Sequence, residues 1–178
     1  MQIFSFLEEQ SIVCFSGKIN IIKINDKSSI GVFYFQDGKL VNARFLDFWG
    51  LKAFLELIDH IEKLSDFDYI LEPEIIGPEM VKIIRPINKL KDLVAESKTL
   101  KKDLDNQRPP DNIKLMIRPE VFDSEEEFSP LEFKLLCTLS DYTLVKDIYR
   151  QNDMLEHEIT KCLISLRKKN AVKVVEKK

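Results

Sequence analysis

The sequence predicts an α+β protein: a small mixed α/β N-terminal domain with a β-hairpin, a connecting helix, and a C-terminal module of three short helices and a strand. Three observations carry this prediction. Residues 31–45, GVFYFQDGKLVNARF, set Asp37-Gly38 between two apolar runs, the strongest short-range hairpin signal, because both central residues of a type I′ turn need positive φ. From Met80 to Val94 the apolar residues Met80, Ile83, Ile84, Ile87, Leu90 and Val94 recur at helical spacing. Ser129-Pro130-Leu131-Glu132 is a full helix-start signature, with Ser as N-cap, Pro at N1 and Glu at N3 reaching back as a capping box. The expected boundaries are 1–78, 79–128 and 129–178.

Each element follows from its local chemistry. A short N-terminal helix precedes residues 12–24, IVCFSGKINIIKI, which are rich in β-branched side chains and read as a first strand. Residues 25–29 are polar and supply a turn. The strand from Gly31 is apolar at every later position to Phe35, which predicts burial on both faces; its hairpin partner runs from Lys39 to Phe45. Asp47 is placed to N-cap a helix whose Leu51, Phe54, Leu55, Ile58 and Ile61 share one face and can cover the sheet. Residues 67–71 form another short strand, closed by Glu72-Pro73 and Gly77-Pro78.

In the helical stretch from Met80 to Asp105, Pro86 either kinks the helix or marks its true start, and Leu100 and Leu104 extend the stripe. Pro109-Pro110 is a stiff break, and the run from Asp123 to Glu127 is an acidic, solvated loop. Leu131, Leu135 and Leu139 line the helix that Ser129 opens, which ends at Asp141-Tyr142. A second helix covers residues 143–150. Asp153 with Glu156 repeats the capping pattern for a third, which turns Ile159, Leu163 and Leu166 inward and stops at Asn170, a residue tolerant of the left-handed conformation. Residues 171–175 form a terminal strand. This order is the outline of a winged helix-turn-helix, and with the sequence ending at Lys178 no second wing strand is expected.

Composition bounds the function. At 178 residues, with 44% apolar and 32% charged side chains, the chain belongs with soluble globular proteins. A net charge of -3 and a pI near 5.6 give no global attraction to nucleic acid or anionic membrane. The balance is uneven, for residues 129–178 carry 10 Lys and Arg against 7 Asp and Glu. Cys14, Cys137 and Cys162 lack the spacing of a disulfide framework or a zinc site, and so imply reduced thiols. Glu8 and Glu9 sit where a signal peptide needs apolar residues, and no apolar run is long enough to cross a bilayer, so a cytoplasmic protein is expected.

The elements in order resemble the PATAN family, named for the N-terminal domain of the response regulator PatA. The matching positions are Phe15, Gly17 and Ile19, the run from Gly31 to Phe35, Asp37-Gly38-Lys39-Leu40-Val41, Ala43, and Gly50 with Ala53. The similarity continues into the long helix, Pro109-Pro110 and the winged-helix-like module at 129–175. What the resemblance implies is a non-enzymatic adaptor in bacterial signal transduction. Such an adaptor binds another signalling protein, such as a response regulator or a motility or polarity protein.

Candidate sites follow, each with a plainer alternative. Phe45, Phe48 and Trp49 crowd the corner between hairpin and helix, where an aromatic cluster is either an interaction hot spot or core. The stripe that ends in Leu100 and Leu104 suits pairing with a second copy, pairing with a partner, or packing within the chain. Lys161, Arg167, Lys168, Lys169 and Lys173 can hold nucleic-acid phosphates if the third helix reads DNA. Against that, Asp153, Glu156 and Glu158 would repel the backbone, and the basic run also complements the helix C-terminal dipole. His60 beside Asp59 and His157 between glutamates read as surface residues, and Cys137 and Cys162 as inert thiols on apolar faces. Ser16-Gly17-Lys18 lacks the glycine and spacing of a phosphate loop. No catalytic residue, metal site or cofactor is expected.

Overall fold

The Asp37-Gly38 turn forms with φ of 49° and 72°, both positive as a type I′ hairpin requires. Asp37 N–H donates to Ser16 Oγ at 2.8 Å and Gly38 N–H to the Phe15 carbonyl at 2.9 Å, which ties the hairpin tip to the first strand. The structure, a computed structural model, describes residues 2–64, 66–123 and 126–175. Within them lie six α-helices and seven strands in two antiparallel sheets, an α+β architecture. No helix among the described residues is long and apolar enough to cross a membrane. The chain divides into two compact units, Met1–Ser97 and Lys98–Lys178.

The first unit contains α1 (Gln2–Ile12), β1 (Gly17–Lys23), β2 (Ser29–Gln36), β3 (Lys39–Phe45), β4 (Phe48–Trp49), α2 (Gly50–Glu62), β5 (Phe67–Pro73) and the first turns of α3 (Ile87–Leu104). The strands order as β4-β3-β2-β1-β5, every pair antiparallel. β2 lies at the centre, where its continuous apolar run belongs. Gly31, Phe33, Tyr34 and Phe35 are buried, so side chains on both faces of the strand leave water. On one face Phe33 meets Phe54 of α2 at 5.9 Å between ring centroids, and Phe4 of α1 closes on Phe54 edge-on at 6.3 Å. The opposite face carries a smaller cluster of Tyr34, Val41 and Ile76, with Val32 and Met80 against it.

The helical spacing from Met80 does not produce a helix there. Pro78–Met80 is a single 3-10 turn, and the chain then runs irregularly until α3 begins at Ile87. Pro86 explains this: its ring would collide with the carbonyl four residues back, and it drives Arg85 away from helical φ/ψ. Pro86 sits one residue before the helix, where its carbonyl accepts from Leu90 N–H at 3.1 Å. The preceding segment bonds to the sheet instead, with Lys82 N–H and Ile83 N–H both donating to the Val41 carbonyl, at 2.9 and 2.8 Å. Ile83, Ile87, Leu90 and Val94 are nevertheless all buried, the first from irregular backbone and the others from the helix.

The second unit holds β6 (Lys114–Ile117), α4 (Pro130–Asp141), α5 (Val145–Gln151), α6 (Glu156–Lys168) and β7 (Val172–Val175). Its core gathers Leu135, Leu136 and Leu139 of α4, Val145 and Ile148 of α5, and Ile159, Leu163 and Leu166 of α6. The capping box is complete: Glu132 N–H donates to Ser129 Oγ at 3.3 Å, and Ser129 N–H to Glu132 Oε2 at 2.7 Å. At the far end Asn170 takes φ 59°, Ala171 N–H reaches the Leu166 carbonyl and Asn170 N–H that of Arg167, a full Schellman motif. Replacing Ser129 by Ala removes one half of the box and should lower the unfolding free energy of this unit by about 1 kcal/mol in chemical denaturation.

Several expectations are corrected in this unit. Leu131 is exposed and Leu136 takes its place in the core, because the capping box turns residue 132 inward and sets the buried face at 132, 135, 136 and 139. Asp153 does not cap α6 but pairs with Lys134 at 3.1 Å; the N-terminal turn is closed by Glu158, whose Oε2 accepts from Leu155 N–H at 2.9 Å. Cys137 is exposed, on the side of α4 away from its leucines, whereas Cys162 is buried. The terminal strand does have a partner. β7 pairs antiparallel with β6, which precedes α4, and Leu144 adds a single bridge on the other side of β6 at Lys114. The two-stranded sheet is thus closed by upstream chain, not by a hairpin following the third helix. Residues 124 and 125 of the expected acidic loop lie outside the described residues.

Candidate protein-interaction site

The corner after the hairpin is built from three backbone decisions. Leu46 takes φ 52° and turns β3 back on itself, so that Phe45 pairs with Phe48 and Arg44 with Trp49 across a two-residue link. Gly50 then takes φ 69°, open to glycine and strained for a side chain, and directs the chain into α2. Asp47 therefore belongs to the turn and does not cap α2, whose N-cap is Trp49, with no side-chain cap of its own. The work of a cap comes from across the sheet. Asn42, fully buried on β3, accepts from Gly50 N–H at 3.0 Å and Ala43 N–H at 2.9 Å, and donates through Nδ2 to the Met80 carbonyl at 2.6 Å. One amide thereby fixes the helix start and the 78–80 turn together.

On this frame Trp49 remains 38% exposed, yet its position is held from several sides. Its ring stacks on Tyr34 at 5.9 Å and 26° between planes. The Arg44 guanidinium lies 5.4 Å from the ring centroid and Lys82 Nζ 5.6 Å. Cation–π contacts at exposed sites stabilise by roughly 0.5–1 kcal/mol each, enough to order an indole that would otherwise sample rotamers. Tyr34 is an uncharged platform, since burial pushes its hydroxyl above the ordinary range, outweighing the nearby Lys18 and Arg44. Arg44 and Lys82 make no ion pair with a carboxylate among the described residues, so their charge is available to an incoming group. Phe48 is half-buried under Lys52, whose Nζ stands 4.1 Å from the ring.

The other sequence-predicted residues scatter. Leu100 and Leu104 are half-buried on α3, past its buried Ile87, Leu90 and Val94. On α6, Lys161, Arg167 and Lys168 are exposed, as is Lys173 on β7. Lys169 is withdrawn from any such array: its Nζ donates to Glu132 Oε2 at 2.9 Å and to the Glu127 carbonyl at 2.6 Å, and lies over Phe128. The N-terminal acids of α6 are also engaged, Glu156 with Lys101 at 3.0 Å and Glu158 with the helix's own first turn. Asp59, next to His60, pairs with Lys63 at 2.8 Å, and His60 packs near Phe45. Among the described residues no group of three or more His, Cys, Asp or Glu side chains is placed to hold a metal ion.

Sequence reasoning reached Phe48 and Trp49 but missed Arg44, Lys82 and Asn42. Arg44 was visible in principle as the cross-strand neighbour that a two-residue turn after Phe45 would create. Lys82 was not, since its approach depends on the irregular path that Pro86 imposes. Comparison with family models, with curated proteins and with solved structures finds no match to the chain.

Proposed function

We propose that the chain is a non-enzymatic adaptor that binds another protein through the face centred on Trp49. The observation that carries this reading is a preorganised, partly exposed tryptophan stacked on Tyr34 beside two cations, Arg44 and Lys82, that have no carboxylate partner among the described residues. Trp, Tyr and Arg are the residue types that dominate interface energetics, and an indole already fixed loses little entropy when a partner docks. The cations define the partner's chemistry: an apolar group to cover the indole, flanked by Asp or Glu to meet the two basic side chains. The resemblance to PATAN proteins supplies the setting, bacterial signal transduction.

The test is capture of the partner from the cells that make this protein, followed by a binding titration. Trp49→Ala should weaken binding by about 2 kcal/mol or more, a factor of roughly 30, and should lower the unfolding free energy of the first unit by about 1–3 kcal/mol through the lost stack and cation–π contacts, leaving it folded. Equal binding by wild type and Trp49→Ala would contradict the reading. A second reading, DNA binding, has the exposed Lys161, Arg167 and Lys168 in its favour. It requires salt-dependent binding to duplex DNA that falls when these three are neutralised; the adaptor reading requires that no such binding appears even at low salt.

A further inference from the structure

A pocket of about 560 Å³ opens in the second unit between the C-terminal half of α6 and the β6–β7 sheet, within the size range of small-molecule sites. Its walls include Ile113, Leu163 and Val174, and its charged groups are three cations, Arg118, Arg167 and Lys173, beside the neutral Gln107 and Asn170. Among the described residues no acidic side chain lines it. Arg118 follows β6 and is anchored there by its backbone, whose N–H donates to the Ala171 carbonyl at 2.8 Å. Its Nε is buried and has no hydrogen-bond partner among the described residues. A buried guanidinium nitrogen without an acceptor is costly, and native proteins leave few such groups unexplained. None of the three cations ion-pairs with a carboxylate among the described residues.

We infer that this pocket is a binding site for a small amphipathic anion: an apolar body seated on Ile113, Leu163 and Val174, with one phosphate or carboxylate held by Arg118, Arg167 and Lys173. A guanidinium presents a fork of N–H donors that matches either head group, and an anion there supplies the acceptor that Arg118 Nε lacks. The apolar walls separate this site from a simple anion trap. Inorganic phosphate satisfies the cations but leaves the walls wet, and a neutral aromatic covers the walls but leaves the cations unpaired. The site is independent of the Trp49 face and lies in a different unit.

The experiment is a titration of the ¹⁵N-labelled full chain with 1-naphthyl phosphate, 1-naphthoate, inorganic phosphate and 1-naphthol, read by amide chemical shifts. Saturable one-to-one shifts at Arg118, Leu163 and Val174 are expected with at least one naphthyl anion, with affinity at least tenfold above that for inorganic phosphate or 1-naphthol. The two naphthyl arms tell phosphate from carboxylate preference. Arg118→Gln should weaken binding at least fivefold, and Arg167→Gln, an exposed change that leaves the fold intact, should do the same. Absence of saturable shifts with either naphthyl anion up to about 5 mM would overturn the inference. So would binding unchanged by both substitutions, or binding of inorganic phosphate or duplex DNA as tight as that of the naphthyl anions.

Discussion

Gly17→Ala should cost the first unit about 3–5 kcal/mol, the largest loss expected from any single methyl group in the chain. Gly17 opens β1 at φ 146°, in a region that side-chain-bearing residues rarely enter. Its α-carbon also lies against the edge strand, opposite Pro73 in the register. A Cβ there would run into the Glu72 carbonyl oxygen, and would lie 2.9 Å from both the Glu74 backbone nitrogen and the Phe15 ring. Two of these neighbours are backbone and cannot rotate away, so backbone strain of about 1–3 kcal/mol adds to overpacking of similar size. Where the backbone and the surroundings accept a Cβ without strain, Gly→Ala stabilises by roughly 0.4–1 kcal/mol through the unfolded chain, so even the sign is diagnostic. Trp49 is the only tryptophan in the sequence and belongs to the first unit. Its fluorescence in urea therefore follows that unit, and an unshifted transition would show that Gly17 is not under this constraint.

The second large effect is acid loss of the second unit through Glu132. Burial alone would raise its pKa, but hydrogen bonds from Ser165, from the Ser129 backbone and from Lys169 outweigh that and hold the carboxyl at about 2, against 4.5 ordinarily. A carboxyl whose pKa is lower when folded stabilises the fold above its unfolded pKa, and that contribution disappears as pH falls toward the folded value. The window here is about pH 4.5 down to about 2. The shift corresponds to about 3 kcal/mol, and solvent access on the Lys169 side of the pair reduces this to roughly 2. Glu132→Ala strips the capping box and leaves Lys169 without its carboxylate, which should destabilise the unit by about 3 kcal/mol at pH 7. Glu132→Gln keeps an acceptor for Ser129 N–H, so it should lose less and should flatten the acid limb. Urea denaturation followed by far-UV circular dichroism between pH 2 and 7 separates the variants; an acid limb unchanged in Glu132→Gln would contradict the assignment.

What could be read from the sequence was mostly what is decided locally. Asp37-Gly38 must take positive φ, Ser129 and Glu132 satisfy each other within one helical turn, and Asn170 ends α6 through its own conformational tolerance. These signals act over four residues or fewer. What failed was decided at long range. β6 is four residues long, KLMI, and exists because β7 returns beside it more than fifty residues later. The stretch from Met80 has a helical pattern but bonds to Val41, and Pro86 had the deciding weight. Asp47 and Asp153 were chemically suitable caps displaced by Asn42 and Glu158. The candidate sites divide in the same way. Trp49 was legible as an aromatic at a corner, whereas Arg118 became notable only when α6 and the β6–β7 sheet enclosed it.

The proposed role rests on one face of the first unit, and site-specific photo-crosslinking in the cells that make the protein examines that face most directly. Leu46 is 67% exposed in the turn leading to Trp49, and Lys161 is exposed on α6. A benzophenone side chain at Leu46 should join the chain to one discrete protein, the same side chain at Lys161 should not, and adding Trp49→Ala should abolish the product. A crosslink confined to Lys161, none at Leu46, or one at Leu46 that survives Trp49→Ala would contradict the account.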